Sequence, residues 1–304
     1  MATDLSTSAA DPVAVPRRSS QRTRLWGSLL ALPTAWMVTF FVSSMVIVVL
    51  LSFGTTTRDG FPVFGTSTDN YRALWDEVYL RLFVRSVLYA LATVVLSVLI
   101  AYPVAYAIAI HGGRYKNALI AAIVVPFFAS YLIRMYAWKA LLSDDGLVNS
   151  GLRNIGLGNT GLGDGISLLN TPWAVIGGLV YGFVVFMILP IYASLERMDV
   201  SLIEAGKDLY HSPLRTFLTV TLPATRAGLY GGLLLVFLPA LGDFVSAQLL
   251  GGSSTFMIGN LVQQQFVEGQ NWPLGSAMTV AMMTALTVLM VFYLRATSSK
   301  SREL

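Results

Sequence analysis

Six apolar runs, each long enough to cross a bilayer, divide this chain: roughly Trp26–Phe53, Ser86–Ile110, Asn117–Trp138, Thr171–Ala193, Ala227–Gly251 and Pro273–Leu294. A helix needs about 20 predominantly apolar residues to span the hydrocarbon core. Inside lipid every backbone amide and carbonyl must be paired, and a run of this length pairs them as a helix. The expected fold is therefore all-α and polytopic, with six transmembrane helices. Composition agrees, since 55% of the residues are hydrophobic and 12% charged, where a soluble domain carries about 25% charged residues. The third run is the least regular, because Arg134 and Lys139 sit at its outer end.

Positive charge in short loops sets the orientation of such a protein. Arg17, Arg18, Arg22 and Arg24 precede the first run, Arg114 and Lys116 follow the second, and Arg197, Lys207, Arg215 and Arg226 follow the fourth. Arg295, Lys300 and Arg302 follow the sixth. These alternate regions fall on one side, so both termini and residues 195–223 are expected in the cytoplasm. Residues 1–24, rich in Ser, Thr, Ala and Pro, read as a disordered cytoplasmic tail. Residues 25–298 form the transmembrane domain, and 299–304 a short second tail. The net charge of +4 reads as topology, with no nucleic-acid partner implied. There is no cysteine, and the two histidines, His111 and His211, stand at loop positions. No metal site is expected from such a set.

The external stretches differ in character. Residues 54–85 read as partly helical, with Thr68-Asp69-Asn70 offering caps. Seven glycines in 143–170 suit an irregular lid or docking surface. The string Thr255 to Asn260 opens an amphipathic segment that dips back before the last run, and Gln263, Gln264, Gln265 and Asn271 make it too polar to span. Pro103, Pro126, Pro190 and Pro239 place one kink in each of the second to fifth runs. Such kinks either line a cavity or help a bundle pack.

Between the fourth and fifth runs lies a polar interlude, LERMDVSLIEAGKDLYHSPLRTFLTVTLP, residues 195–223. Ser201 with Glu204 three residues later has the form of a capping box. Ser212-Pro213 offers a second start, with a capping hydroxyl and a proline where no amide is needed. Two short helices on one loop are expected. Taken only so far, this is an ordinary cytoplasmic loop.

Glu204-Ala205-Gly206, followed by Val220, Leu222 and Pro223, resembles the EAA loop of membrane subunits in bacterial ATP-driven (ABC) importers. That pattern runs Glu-Ala-Ala, three residues, Gly, nine residues, Ile, one residue, Leu-Pro. The spacing from Glu204 to Leu222-Pro223 fits it without a gap. Gly206 stands for the second alanine, Tyr210 for the glycine and Val220 for the isoleucine. The resemblance implies a coupling loop that docks in a cleft of an ATPase subunit, on a type I ABC importer fold. Its coupling residues would be Ser201, Glu204, Ala205, Gly206, Asp208, Leu209, Tyr210, Leu222 and Pro223. With Tyr210 where the family has glycine, more of the turn would fall to Ser212-Pro213.

Further strings narrow the resemblance. Leu189 to Glu196, Phe237 to Val245, Leu249 to Gly252, Met257 to Leu261 and Asn271 to Gly275 are similar to permease subunits of spermidine/putrescine importers. The likeness covers about residues 85–295. It implies a bacterial inner-membrane permease beside a second, homologous but different permease. A dimer of ATPase subunits would sit beneath them, and an external binding protein would deliver the solute. It also implies that ATP and Mg belong to the ATPase, leaving this chain without cofactor or catalytic residues. The absence of a G-x-x-x-x-G-K-[ST] phosphate loop agrees independently. Related permeases serve ferric iron, opines and organophosphonates, so the solute stays open at this point. An ion-gradient-driven transporter would need buried proton or sodium sites and internal repeats, and only Asp243 is an acidic candidate.

Two charges fall inside apolar runs. Asp243 lies seventeen residues past Arg226, about 25 Å along a helix at 1.5 Å per residue, and Arg134 lies at a similar distance past Lys116. Asp243 on the translocation path would attract an amine cation, with Tyr131, Tyr136 and Trp138 offering aromatic faces. Alternatively Arg134 and Asp243 form a structural ion pair, and the aromatics anchor at the interface.

Overall fold

The computed structural model describes residues 20–57, 60–154, 168–210 and 212–300, with side chains for 30–57, 60–151, 168–210 and 212–295. The chain divides into two compact units, Met1–Val48 and Val49–Leu304. Of the tail expected over 1–24, residues 1–19 lie outside the described ones, and Ser20 to Arg24 already belong to helix α1, Ser20–Ser52. The second tail likewise begins later than expected, because the last helix runs to Lys300. Every side chain from Leu30 to Ile47 is exposed, Leu32 at 80%. An apolar helix open on all faces requires lipid or another chain around it.

In the second unit, strands β1 (Thr55–Thr56) and β2 (Pro62–Val63) make a two-residue antiparallel pair that the sequence did not announce. Helix α2, Asp69–Ala73, follows, and the Asn70 amide donates to the carbonyls of Ser52 and Gly54 at 3.0 and 2.9 Å. Thr68 offers no side-chain cap. Helix α3, Glu77–Tyr106, starts at Asp76, whose carboxylate accepts from the Val78 amide, and passes through Pro103 into a π turn at Ala107–His111.

Among the described residues five helices are long and apolar enough to cross a membrane: Leu30–Ser52, Glu77–His111, Pro172–Glu196, Pro213–Gly242 and Trp272–Arg295. The third expected span is not one rod. Two helical segments, Gly113–Phe128 and Tyr131–Gly151, meet there at 91°. The first contains α4, Lys116–Val124, and ends in a 3-10 turn that includes Pro126. Pro126 has no amide to continue an α-helix, and Ala129 and Ser130 are extended, with ψ of 146° and 133°. Helix α5, Tyr131–Leu142, then carries Arg134 and Lys139 in the new direction. Helix α6, Leu147–Asn154, lies within the glycine-rich stretch 143–170, of which residues 155–167 fall outside the described ones.

Helix α7, Pro172–Glu196, is the core rod, capped by Thr171 and buried along most of its length. It packs with α3 and with α10, Leu222–Gly242. Ala101 and Tyr102 of α3, Leu179, Met187 and Ile191 of α7, and Val236 and Leu241 of α10 share one cluster. In it the buried Tyr102 hydroxyl meets Thr225 Oγ1 at 2.5 Å. The fifth span also departs from expectation. It ends at Gly242, and after Asp243 a separate helix α11, Val245–Leu250, begins. Helices α12, Ile258–Val267, and α13, Trp272–Lys300, follow, and α12 holds the polar Gln263, Gln264 and Gln265.

Candidate functional site

Helix α8, Val200–Tyr210, carries the EAA-like residues. Its cap lies two residues earlier than expected: Asp199 Oδ1 accepts from the Ser201 amide at 2.9 Å. The capping box at Ser201 is thus corrected, since Ser201 sits within the first turn and Glu204 is exposed. Aspartate caps as well as serine does, and its negative charge also suits the positive end of the helix dipole. The hydrogen bond from Ser201 holds the Asp199 carboxyl below its ordinary range. The second helix is corrected as well. Helix α9, Pro213–Thr216, begins with Pro213 as expected, but the Ser212 hydroxyl does not cap it. It continues through a π turn, Phe217–Thr221, into α10, so it is the base of the fifth span.

Gly206 decides how these pieces meet. A Cβ there would lie 2.8 Å from Thr216 Cγ2 and 3.1 Å from Val220 Cγ2. The residue that replaces the pattern's second alanine therefore lets α8 lie directly on the base of the fifth span. Tyr210 stays helical, and its φ is not positive. The chain turns after it, and Ser212 is extended, with φ −138° and ψ 122°. Ile203 and Gly206 face inward, while Glu204, Lys207 and Asp208 are exposed. Leu202, Ala205 and Leu209 share the outer face at helical spacing, with Leu209 73% exposed. Leu202 escaped the sequence reading, although its seven-residue spacing from Leu209 marks the same face. Leu222 is half-buried and Pro223 exposed in the first turn of α10.

A second polar site forms where the third and fifth spans break. Asp243 is 8% exposed. Its Oδ1 accepts from the Ser246 amide at 2.7 Å, which caps α11, and its Oδ2 accepts from the Tyr131 hydroxyl at 2.7 Å. Tyr131 Oη also lies 2.7 Å from Ser246 Oγ. From α12, the Asn260 amide donates to the Phe244 carbonyl at 2.8 Å, and Asn260 Oδ1 accepts from the Met257 amide at 3.0 Å. Gly259 makes this approach possible, because a Cβ there would stand 2.8 Å from the Gly242 carbonyl oxygen. Gly259 and Asn260 entered the sequence reading as part of an amphipathic segment and of a family-like string, neither of which revealed that they seal a helix break. Beside them lies a cavity of about 280 Å³ reached by Phe244, Gln263 and Met282.

Among the described residues Arg134 and Asp243 form no ion pair, which corrects the alternative that joined them. Arg134 is 9% exposed and lies over the rings of Phe127, Tyr131 and Tyr181 at 5.0, 5.5 and 5.9 Å. Trp138 is half-buried, its ring 5.5 Å from that of Tyr181, whereas Tyr136 is 58% exposed and stands apart. The structure thus brings Asp243, Tyr131, Arg134 and Trp138 into one neighbourhood. Phe127 and Tyr181 join it unannounced, since they come from different helices and no spacing along the chain links them.

No protein-family model matches the chain. It is 34% identical over 274 residues to the spermidine/putrescine transport system permease protein PotB of Haemophilus influenzae, covering 90% of this chain and 94% of that protein. It is 32% identical over 278 residues to the inner membrane ABC transporter permease protein YdcU of Escherichia coli, covering 88% of each. In fold it is similar to a chain in the crystal structure of a bacterial ABC transporter involved in the import of the acidic polysaccharide alginate. That likeness has a TM-score of 0.70 at 19% identity, over 92% of this chain and 96% of the other.

Proposed function

This chain belongs to the permease subunits of ABC importers that include the spermidine/putrescine permeases, and from that premise we propose that it forms half of a path carrying polyamines inward. The observation that carries the reading is the 34% identity to a spermidine/putrescine permease over 90% of this chain and 94% of that protein. Helix α8 supports the coupling role. It is held from behind through Gly206 and offers an outer face of Leu202, Ala205 and Leu209 bordered by Glu204 and Asp208. Such a face suits a cleft in an ATPase subunit, which would carry ATP and Mg. This chain then contributes no catalytic residue. It is a multi-pass protein of the bacterial inner membrane, with both termini and α8 on the cytoplasmic side and a second, homologous permease as its neighbour. An external binding protein would select the solute and deliver it.

Mechanically, a push on α8 passes to Thr216 and Val220, which stand on the continuous helical path from Pro213 to Gly242. That path ends before Asp243 and Phe244, to which Tyr131 of α5 and Asn260 of α12 are respectively bonded. A movement at the cytoplasmic loop thereby reaches the broken end of the span without crossing a flexible linker.

The test is uptake of labelled putrescine and spermidine into cells lacking their own polyamine importers. The chain is supplied with its partner subunits and binding protein. Uptake is expected, and Gly206→Pro, which breaks α8, should abolish it while leaving the chain inserted. Absence of polyamine uptake, with another solute accumulated instead, would overturn the polyamine reading.

A further inference from the structure

Among the described residues Arg134 meets no carboxylate within ion-pair distance. Its Nε is buried with no hydrogen-bond partner. A buried cation that served only to hold helices together would be expected to meet an acid. Asp243 is buried at the same junction, yet it is bonded to Tyr131 and Ser246 instead. What surrounds the guanidinium is aromatic: Phe127, Tyr131 and Tyr181, from both sides of the break in the third span and from α7. Ring faces attract an alkylammonium by the same quadrupole that attracts a guanidinium. One of the three rings, Tyr131, hands its hydroxyl to a carboxylate, so the cage has an acidic side.

We propose that Phe127, Tyr131 and Tyr181, with Asp243 behind Tyr131, form an amine-cation subsite which Arg134 fills in this conformation as a tethered stand-in. An incoming amine must displace it. The proposal rests on the polyamine reading above and assigns that reading a site and a gate. Tyr131 and Arg134 ride together on α5, which starts directly after the extended Ala129 and Ser130. The long Arg134 side chain withdraws the guanidinium by changing rotamer, while Tyr131 stays bonded to Asp243. Arg134 is accordingly a gating residue, and the three rings and the carboxylate do the binding.

The experiment measures equilibrium binding of labelled putrescine and of ethylammonium to the transporter assembled with its partner subunits, without binding protein or ATP. Arg134→Gln and Arg134→Met, which empty the cage, are expected to bind both probes about tenfold more tightly than the native complex, the scale of a desolvated cation–π contact. Arg134→Lys should stay near the native value, and adding Tyr181→Leu to Arg134→Gln should cancel the gain. If Arg134→Gln and Arg134→Met insert normally but bind no better than native, the cage is not an amine site. If neither inserts, Arg134 is a structural cation, and the proposal is equally overturned. Native putrescine uptake, measured alongside, separates the two levels. Uptake without any gain in the variants sinks the subsite alone, whereas a gain for ethylammonium without native putrescine uptake keeps the subsite and sinks the polyamine reading.

Discussion

Helix α8 and the junction around Asp243 both interrupt an apolar chain with polar residues, but they treat those residues in opposite ways. On α8 the charged groups Glu204, Lys207 and Asp208 point to solvent, and one glycine makes the contact that holds the helix. At the junction the buried Asp243 carboxylate accepts from the Tyr131 hydroxyl of α5 and the Ser246 amide of α11, and the Asn260 side chain of α12 donates to the Phe244 carbonyl. An exposed polar face costs little to present and stays available to a partner. A buried set must be satisfied within the chain, because each unpaired group there costs free energy. The first arrangement suits docking and the second suits holding two broken helices in register.

Breaking the junction should have the largest effect. Asp243→Leu removes the α11 cap, strands the Ser246 amide and leaves the Tyr131 hydroxyl only Ser246 Oγ as a partner, at an expected cost of about 2–4 kcal/mol from the lost cap and hydrogen bonds together. Asp243→Asn keeps an acceptor in place and should recover most of that. Folded yield and resistance to denaturing detergent read the difference. In a cycle of Asp243→Asn with Arg134→Gln, the coupling should fall well below the roughly 3–5 kcal/mol penalty of a broken buried ion pair. A coupling of that full size would mean that the two charges do meet.

Crowding α8 should have an intermediate effect and a different signature. Gly206→Val presses a branched side chain into Thr216 and Val220, an overpacking that costs about 1–3 kcal/mol. Insertion should survive, while transport-linked ATP hydrolysis falls. Gly206→Ala should show a milder form, relieved by Thr216→Ser, which removes the methyl group that the new Cβ meets. If Gly206→Val left coupling intact, the close approach of α8 to the fifth span would not transmit movement.

The smallest effect is expected at Asp199, where the group is exposed. Its carboxyl is held below the ordinary range by the Ser201 hydrogen bond. The cap therefore contributes in full above the usual aspartate value of about 3.9, and fades as pH falls through the lower folded value. Asp199→Asn keeps an acceptor and should remove that pH dependence. Hydrogen exchange at the Ser201 amide, followed downward from pH 6, checks the sign. Faster exchange at higher pH, beyond the intrinsic base-catalysed trend, would contradict it.

The two regions were also unequally legible. The loop that carries α8 could be outlined from the chain because its residues are neighbours: the spacing from Glu204 to Pro223 is local. Even there the cap was misplaced by two residues, since Asp199 and Ser201 compete on similar terms and only the backbone path selects one. At the junction the sequence marked Asp243, Arg134 and Tyr131 as unusual, and it left their pairing open. Tyr131 to Asp243 is a separation of 112 residues and Asn260 to Phe244 one of 16, and no periodicity reaches across such gaps.

What the sequence determined by itself was the solvent: long apolar runs force helices in a bilayer. The runs could not say where a helix stops, because leucine and valine extend a hydrophobic stretch whether or not the backbone turns within it. Tertiary structure broke the third span after Pro126 and the fifth after Gly242. The break after Gly242 frees backbone groups that the apolar run does not account for: Asp243 accepts from the Ser246 amide, and Asn260 of α12 donates to the Phe244 carbonyl.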